Sequence, residues 1–221
     1  MSPILDWSWY FTDNNALNGV DNMNGVRLAN IVDVRAMSLI HARTWRSAYS
    51  QYISAEYLNN ITDEGWIPLF TRAFKENLHE AAVFELDGKI TGTVTFGRGR
   101  PMTTCTTGDT GENDKKLSCS DEETKPENNC CCNSNCCEEG EIISLYVLPQ
   151  YWSTKQGYEL TKFAVESLKK QCYKSCYLLV IKNNERAINF YKKFGFKSTS
   201  EFTSVMLAGK AVVEEKYRIY F

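Results

Sequence analysis

The chain has 221 residues, 43% hydrophobic and 13% aromatic, with 25 basic against 27 acidic side chains for a net charge of −2. That length suits one domain with room for an insertion, and the balanced charge offers no polyanion-binding surface, which excludes nucleic acid as the expected partner. No run reaches the roughly 20 apolar residues of a bilayer span, and the first residues lack a basic start and a long apolar core, so the expectation is a cytoplasmic protein without membrane contact.

Residues 1–25 are rich in Asn, Asp and Gly and carry Trp7, Trp9, Tyr10 and Phe11, an aromatic cluster that reads as an N-terminal extension packed on a domain over 26–221. Val26 to Ile31 reads as a short strand. Asp33 then suits a helix N-cap, and Val34, Met37, Ile40, His41, Thr44, Trp45 and Ala48 recur behind it at helical spacing. A second helix is expected from Ser54 and a third from about Glu64 through Leu78. His41 falls on the apolar face of the first helix beside Trp45, where a satisfied, half-buried histidine is expected. With His79 it makes only two histidines, too little material for a histidine metal site or a Ser-His-Asp triad.

Ala81 to Leu86, then Asp87-Gly88, then Lys89 to Phe96 predict a hairpin, because Asp-Gly supplies the positive φ angles of a tight two-residue turn. Beyond Gly97 the hydrophobic pattern stops. Residues 99–139 are Thr, Asp, Glu, Asn and Cys with almost no large apolar side chain, and cannot bury enough surface to fold alone. Seven of the nine cysteines fall here, between Cys105 and Cys137. Runs such as Cys130-Cys131-Cys132 suit soft metals, but the CxxC spacing of a structural zinc site is absent. A reduced, polar, Cys-rich insertion is the expectation, with no metal required for catalysis; a thiol-rich metal-binding protein that uses the domain as carrier is the rival.

Order resumes at Glu141. Ile142 to Val147 reads as a strand, a loop follows, and a helix opens near Gly157. Cys176 to Ile181 reads as the next strand, and a further helix carries Asn184 and Tyr191. Ser198 to Ala208 and Ala211 to Phe221 read as a closing hairpin with Leu-Ala-Gly-Lys at its turn. This order of elements predicts a mixed α/β domain around one sheet. A strand feeding a helix N-terminus is a place to hold a phosphate, because first-turn amides have no partner within the helix. A tyrosine on the next helix, at the mouth of the same cleft, can supply a proton.

Two motifs sharpen that reading. Pro149-Gln150-Tyr151 precedes Trp152, Ser153, Thr154, Lys155, Gln156 and Gly157, and Asn184-x-x-Ala187-x-x-Phe190-Tyr191-x-x-x-Gly195-Phe196 follows downstream. Together they resemble the GNAT superfamily of acetyl-CoA-dependent N-acetyltransferases, from about Val26 to Phe221 apart from the Cys-rich segment. The second motif matches the family pattern at every named position. The first departs from it, with Trp152 in place of Arg or Gln and Lys155 in place of the first glycine. At a positive φ that lysine would cost about 1 kcal/mol.

The resemblance implies the GNAT fold, a mixed and mostly antiparallel sheet flanked by helices. It implies acetyl-CoA as co-substrate, with pantetheine along the main chain of Leu145, Tyr146 and Val147. The pyrophosphate would lie over Ser153, Thr154, Lys155, Gln156, Gly157 and Tyr158, and Asn184 would reach a ligand amide. Tyr191 becomes the proton donor to the CoA thiolate and Glu141 the base toward the amine. The implied reaction is direct attack of a primary amine, on a small molecule or peptide, within a ternary complex formed by a monomer or homodimer. A catalytically weak CoA-binding module of the same fold is the alternative.

Overall fold

The computed structural model describes residues 24–100 and 139–221. The N-terminal extension and the Cys-rich segment, apart from its two ends, lie outside the described residues. The first strand, Gly25–Leu28 (β1), stops short of the expected Ile31 because Asn30 turns the chain into a 3-10 turn at Ile31–Asp33. The Asn30 side chain accepts from the Val32 amide while Asp33 accepts from the Asn30 amide, a capping box. Asp33 thus serves this turn and makes no side-chain cap on the following helix, Val34–Ala48 (α1). Its oxygens also take both ends of the Arg27 guanidinium at 2.8 Å, a pairing that holds the Asp33 carboxyl below its usual range.

Ser54 caps the next helix, Ala55–Asn60 (α2), by accepting from the Tyr57 amide. The third helix, Ile67–Lys75 (α3), is shorter than expected. Pro68 in its first turn sets the start, and Asn77, in the left-handed region at φ 50°, ends it as Leu78 N donates to Ala73 O. The predicted hairpin follows as Glu80–Leu86 (β2) and Lys89–Arg98 (β3), with Asp87 and Gly88 both at positive φ between them. Then come Glu139–Val147 (β4), Gln156–Lys170 (α4), Ser175–Ile181 (β5), Glu185–Phe194 (α5), Lys197–Leu207 (β6) and Lys210–Tyr220 (β7). The two ends of the Cys-rich segment meet: Gly99 N donates to Glu139 O at 3.1 Å.

Among the described residues the strands form one sheet in the order β1-β2-β3-β4-β5-β7-β6. Every neighbouring pair is antiparallel except β4 and β5, so the mixed, mostly antiparallel sheet expected from the sequence is present. Alternation of side chains sends Ala82, Val94, Phe96, Ile142, Leu178 and Val180 to one face, where Leu160 and Leu168 of α4 cover them. The other face sends Ala81 and Val83 against Val34 and Met37 of α1 and Phe70 of α3. Phe96 is fully buried; burial of such a side chain contributes about 1.5–3 kcal/mol. No helix among the described residues is long and apolar enough to cross a membrane.

The ladder between β4 and β5 is interrupted. β4 pairs with β5 only at Glu139 with Ser175, Gly140 with Cys176 and Glu141 with Tyr177. Beyond that point β4 stays with β3 as far as Val147, and β5 stays with β7 as far as Ile181. The two parallel strands therefore part, and a wedge opens between them.

Candidate active site

The phase of the β3–β4 ladder decides which main-chain groups enter the wedge. Leu148 N donates to Thr91 O at 2.9 Å. Antiparallel alternation then turns Tyr146 toward β3, and turns the main-chain groups of Leu145 and Val147 away from it. The Val147 carbonyl is already taken, by Trp152 Nε1 at 2.7 Å and Thr44 Oγ1 at 3.2 Å. Leu145 N–H and C=O and the Val147 N–H are left with no strand beside them.

The loop between β4 and α4 is a 3-10 turn at Pro149–Tyr151 followed by the residues that stand where the family has its glycines. The strain anticipated at Lys155 lies elsewhere. Lys155 is the N-cap of α4 with φ −72°, whereas Ser153 carries the left-handed conformation at φ 63°. A chain leaving one turn and entering a helix three residues later needs one such residue, and it falls at 153. No side chain caps α4 through its N-cap residue. Thr154 Oγ1 accepts from the Gln156 amide at 3.4 Å, and the amides of Gly157 and Tyr158 find no acceptor among the described residues. The Gln156 side chain turns inward, where Oε1 accepts from Thr91 Oγ1 at 2.9 Å, so only its main chain belongs to the loop. A Cβ at Gly157 would meet Phe190 at an ordinary 3.6 Å, so the fold alone does not require glycine there.

Arg186 of α5 was not singled out from the sequence. Its guanidinium lies 3.7 Å from the centroid of the Trp152 ring, held by cation–π attraction. Burial lowers its pKa, and no carboxylate bonds it among the described residues. The indole at 152 thus holds a guanidinium beside the loop at the position where the family's own Arg or Gln is missing.

At the other side of the wedge, Asn184 caps α5 by accepting from the Ala187 amide at 3.2 Å, and Gly195 ends the helix at φ 118°. Tyr191 packs against Phe190 and Phe196, with ring centroids 5.0 and 5.8 Å away. Burial pushes its hydroxyl well above the usual range, with Tyr146 and Cys176 adding to the shift, so it holds its proton and can donate it. Tyr146 OH accepts from Trp45 Nε1 at 3.0 Å and lies 3.3 Å from Tyr49 OH. Tyr49 also feels Tyr191. Three tyrosines, from α5, β4 and the end of α1, therefore converge on the wedge. Tyr52 OH donates to Asn183 O at 2.9 Å and ties the segment after α1 to the β5–α5 connection.

Glu141 is 1% exposed. Its carboxylate accepts from Arg100 N at 3.1 Å, Arg100 Nε at 2.9 Å and Tyr177 OH at 2.9 Å, with Arg100 Nη2 as a further donor. The base implied by the resemblance is thus a buried carboxylate already committed to an ion pair, whose Arg100 side chain remains largely exposed. His41 also differs from expectation. It is 5% exposed, its ring centroid is 4.2 Å from that of Tyr146, and Nε2 has no hydrogen-bond partner among the described residues. Burial pushes its pKa down to about 3.

A family model described as the acetyltransferase (GNAT) family matches residues 40–196. Among solved structures, a paiA N-acetyltransferase from Thermoplasma acidophilum in complex with coenzyme A superposes with a TM-score of 0.55 at 18% identity, covering 89% of this chain and 98% of that one. The yncA structure from Salmonella typhimurium, solved with its cofactor acetyl-CoA, gives 0.57 at 13% identity over 90% of this chain and 94% of that one. A ribosomal-protein-alanine N-acetyltransferase from Brucella melitensis gives 0.59 at 13% identity over 89% and 99%. At these identities the likeness is one of fold. A comparison with curated proteins gave no match.

Proposed function

Because the chain belongs to the GNAT acetyltransferase family, we propose that it moves an acetyl group from acetyl-CoA to a primary amine of a small molecule or peptide by direct attack in a ternary complex. The observation that carries this reading is the wedge between β4 and β5 with a half-buried, proton-bearing Tyr191 beside it. The Thermoplasma and Salmonella relatives, solved with coenzyme A and acetyl-CoA, support the choice of co-substrate. When bound, that molecule supplies an acyl group already activated as a thioester.

The residues present fit such a group. Leu145 N–H and C=O and the Val147 N–H would bond the amides of the pantetheine arm as a strand would, with Asn184 near its path and the ring of Tyr146 bordering it. Main-chain donors on β4 would polarise the thioester carbonyl. The amides of Gly157 and Tyr158 at the α4 N-terminus would hold the pyrophosphate, over the stretch Ser153 to Tyr158. Arg186, stacked on Trp152, would add the charge that the altered loop lacks. Tyr191 would give its proton to the departing thiolate. A carboxylate on the α1 face of the sheet, the role expected of Glu141, would receive the amine's proton.

The second reading, a CoA-binding module without turnover, draws on Trp152 and Lys155 in the phosphate loop. Calorimetric titration with acetyl-CoA, followed by an acetyl-CoA-consumption screen over an amine panel, separates the two. Binding with consumption supports transfer, binding without it selects the module, and no binding at millimolar concentration ends both.

A further inference from the structure

β7 carries a carboxylate to which neither motif pointed. Glu214 pairs with Ile181, the last residue of β5, and with Thr203 of β6. Side chains alternate along a strand, so Glu214 shares its face with Tyr177, four residues back along β5, and through Tyr177 with Glu141. Lys216 verifies the parity: its Nζ lies 4.2 Å from the Tyr177 ring centroid and 2.7 Å from Glu139 Oε2. Glu214 therefore stands at the rim of the wedge, at the level where β4 has already left β5.

Its surroundings are specific. Glu214 is half-buried and, among the described residues, its carboxylate makes no hydrogen bond or ion pair. The groups that face it electrostatically are Tyr49 from the end of α1, Tyr146 of β4, and the Arg100–Glu141 pair. Nearby charges are committed elsewhere. Lys216 binds Glu139 and Glu201, Lys182 lies over the Phe202 ring, and Glu215 accepts from Ser198 and Tyr217. Desolvating a carboxylate without a partner is costly. Burial raises the Glu214 pKa above the usual carboxylate range, Arg100 pulls it back, and Glu141 raises it further.

We propose that Glu214 is the group that binds the acceptor's ammonium and takes its proton, beside the hydrogen-bonded pair Tyr49 and Tyr146, so that the acceptors are amines that arrive protonated. This rests on the transfer reading above. Glu141 would have to release Arg100 or Tyr177 to play the same part, whereas Glu214 gives up no partner. The Glu214 carboxylate takes one proton from R–NH3+. The nitrogen lone pair attacks the thioester carbonyl, the C–N bond forms and the C–S bond breaks. The thiolate leaves with the Tyr191 proton, the tyrosinate takes the surplus proton from nitrogen, and Glu214 returns its proton to solvent. The net reaction is R–NH3+ plus acetyl-CoA giving R–NH–COCH3, CoA–SH and H+. A base whose pKa is drawn toward the working pH is better matched to this task than an ordinary carboxylate.

The test compares wild type with E214Q and E214A, using benzylamine and ethylenediamine as acceptor probes from about pH 6 to about pH 10, a range that reaches free amine. CoA affinity is read separately by calorimetry. The expected result for E214Q is a kcat/KM for amine lowered about 10²–10⁴-fold near neutral pH, with the deficit shrinking as pH rises and CoA affinity unchanged. E214A supplies the same comparison if E214Q folds poorly. A variant with wild-type kcat/KM and pH profile, or a deficit constant across pH, overturns the role of Glu214 while leaving acetyl transfer standing. Wild-type protein that binds CoA yet acetylates neither these probes nor any amine of the panel overturns both readings.

Discussion

Replacing His41 with leucine tests how completely α1 seals this face of the sheet. The imidazole sits among the rings of Trp66, Phe70 and Tyr146, and burial moves its pKa from 6.5 to about 3. Between those values the unfolded chain binds a proton that the folded chain refuses. Stability that is complete above the unfolded value therefore falls as pH drops through the window toward the folded value, by about 1.4 kcal/mol per pH unit. From the unfolded value down to about pH 5 the loss amounts to about 2 kcal/mol. Leucine has a similar volume and nothing to protonate. Urea unfolding of both proteins across this range gives the difference in stability at each pH. His79 and the carboxylates are common to both proteins and cancel to first order, and any packing offset at neutral pH is constant. The difference should swing toward the leucine variant by about 2 kcal/mol by about pH 5. Curves that stay parallel would refute the argument and mean that the imidazole gains a partner or water on protonation.

Tyr191→Phe should lower kcat about 10²–10⁴-fold with CoA affinity nearly unchanged, because it removes a proton donor and keeps the ring; a rate within about twofold of wild type would assign Tyr191 to packing. Arg186→Ala should weaken CoA binding about 10–100-fold, the value of a hydrogen bond to a charged group, and flatten its salt dependence; calorimetry at two ionic strengths reads both, and unchanged affinity would remove Arg186 from the phosphate loop. Ser153→Gly should raise the melting temperature by relieving about 1 kcal/mol of left-handed strain, while Lys155→Gly should bring no such gain. The reverse order would show that the strained residue had been misplaced.

What could be read from the sequence was local. Asp87-Gly88 dictates its own turn, Ser54 and Asn184 cap the helices that follow them, and the Asn184–Phe196 pattern carries its register within one helix. The departures came from side-chain partners and turn geometry that periodicity does not register. Asp33 looks like the cap of α1 until Arg27 and Asn30 claim its oxygens. Glu141 reads as a free base until Arg100 and Tyr177 take its oxygens. Alignment with a family pattern marks Lys155 as the lost glycine, yet the left-handed residue falls where the preceding 3-10 turn ends. Arg186 stands at an unspecified position of the Asn184–Phe196 pattern, and Glu214 in a hairpin that neither motif covers. Only the approach of Trp152 to one, and the parting of β4 from the strand beside the other, gives them a place in the cleft.

In mechanical terms the sheet is two plates, β1 to β4 and β5 to β7, riveted at three residue pairs. A pantetheine arm laid against Leu145 and Val147 would act as mortar in the gap, lengthening the seam without any new contact between the strands themselves. Amides on the two plates should then exchange with solvent independently in the free protein and in step once the gap is filled. The co-substrate would in that sense be a structural member, and the plate bearing Glu214 would be held in its working position against the plate bearing Tyr146 only while a pantetheine arm fills the gap.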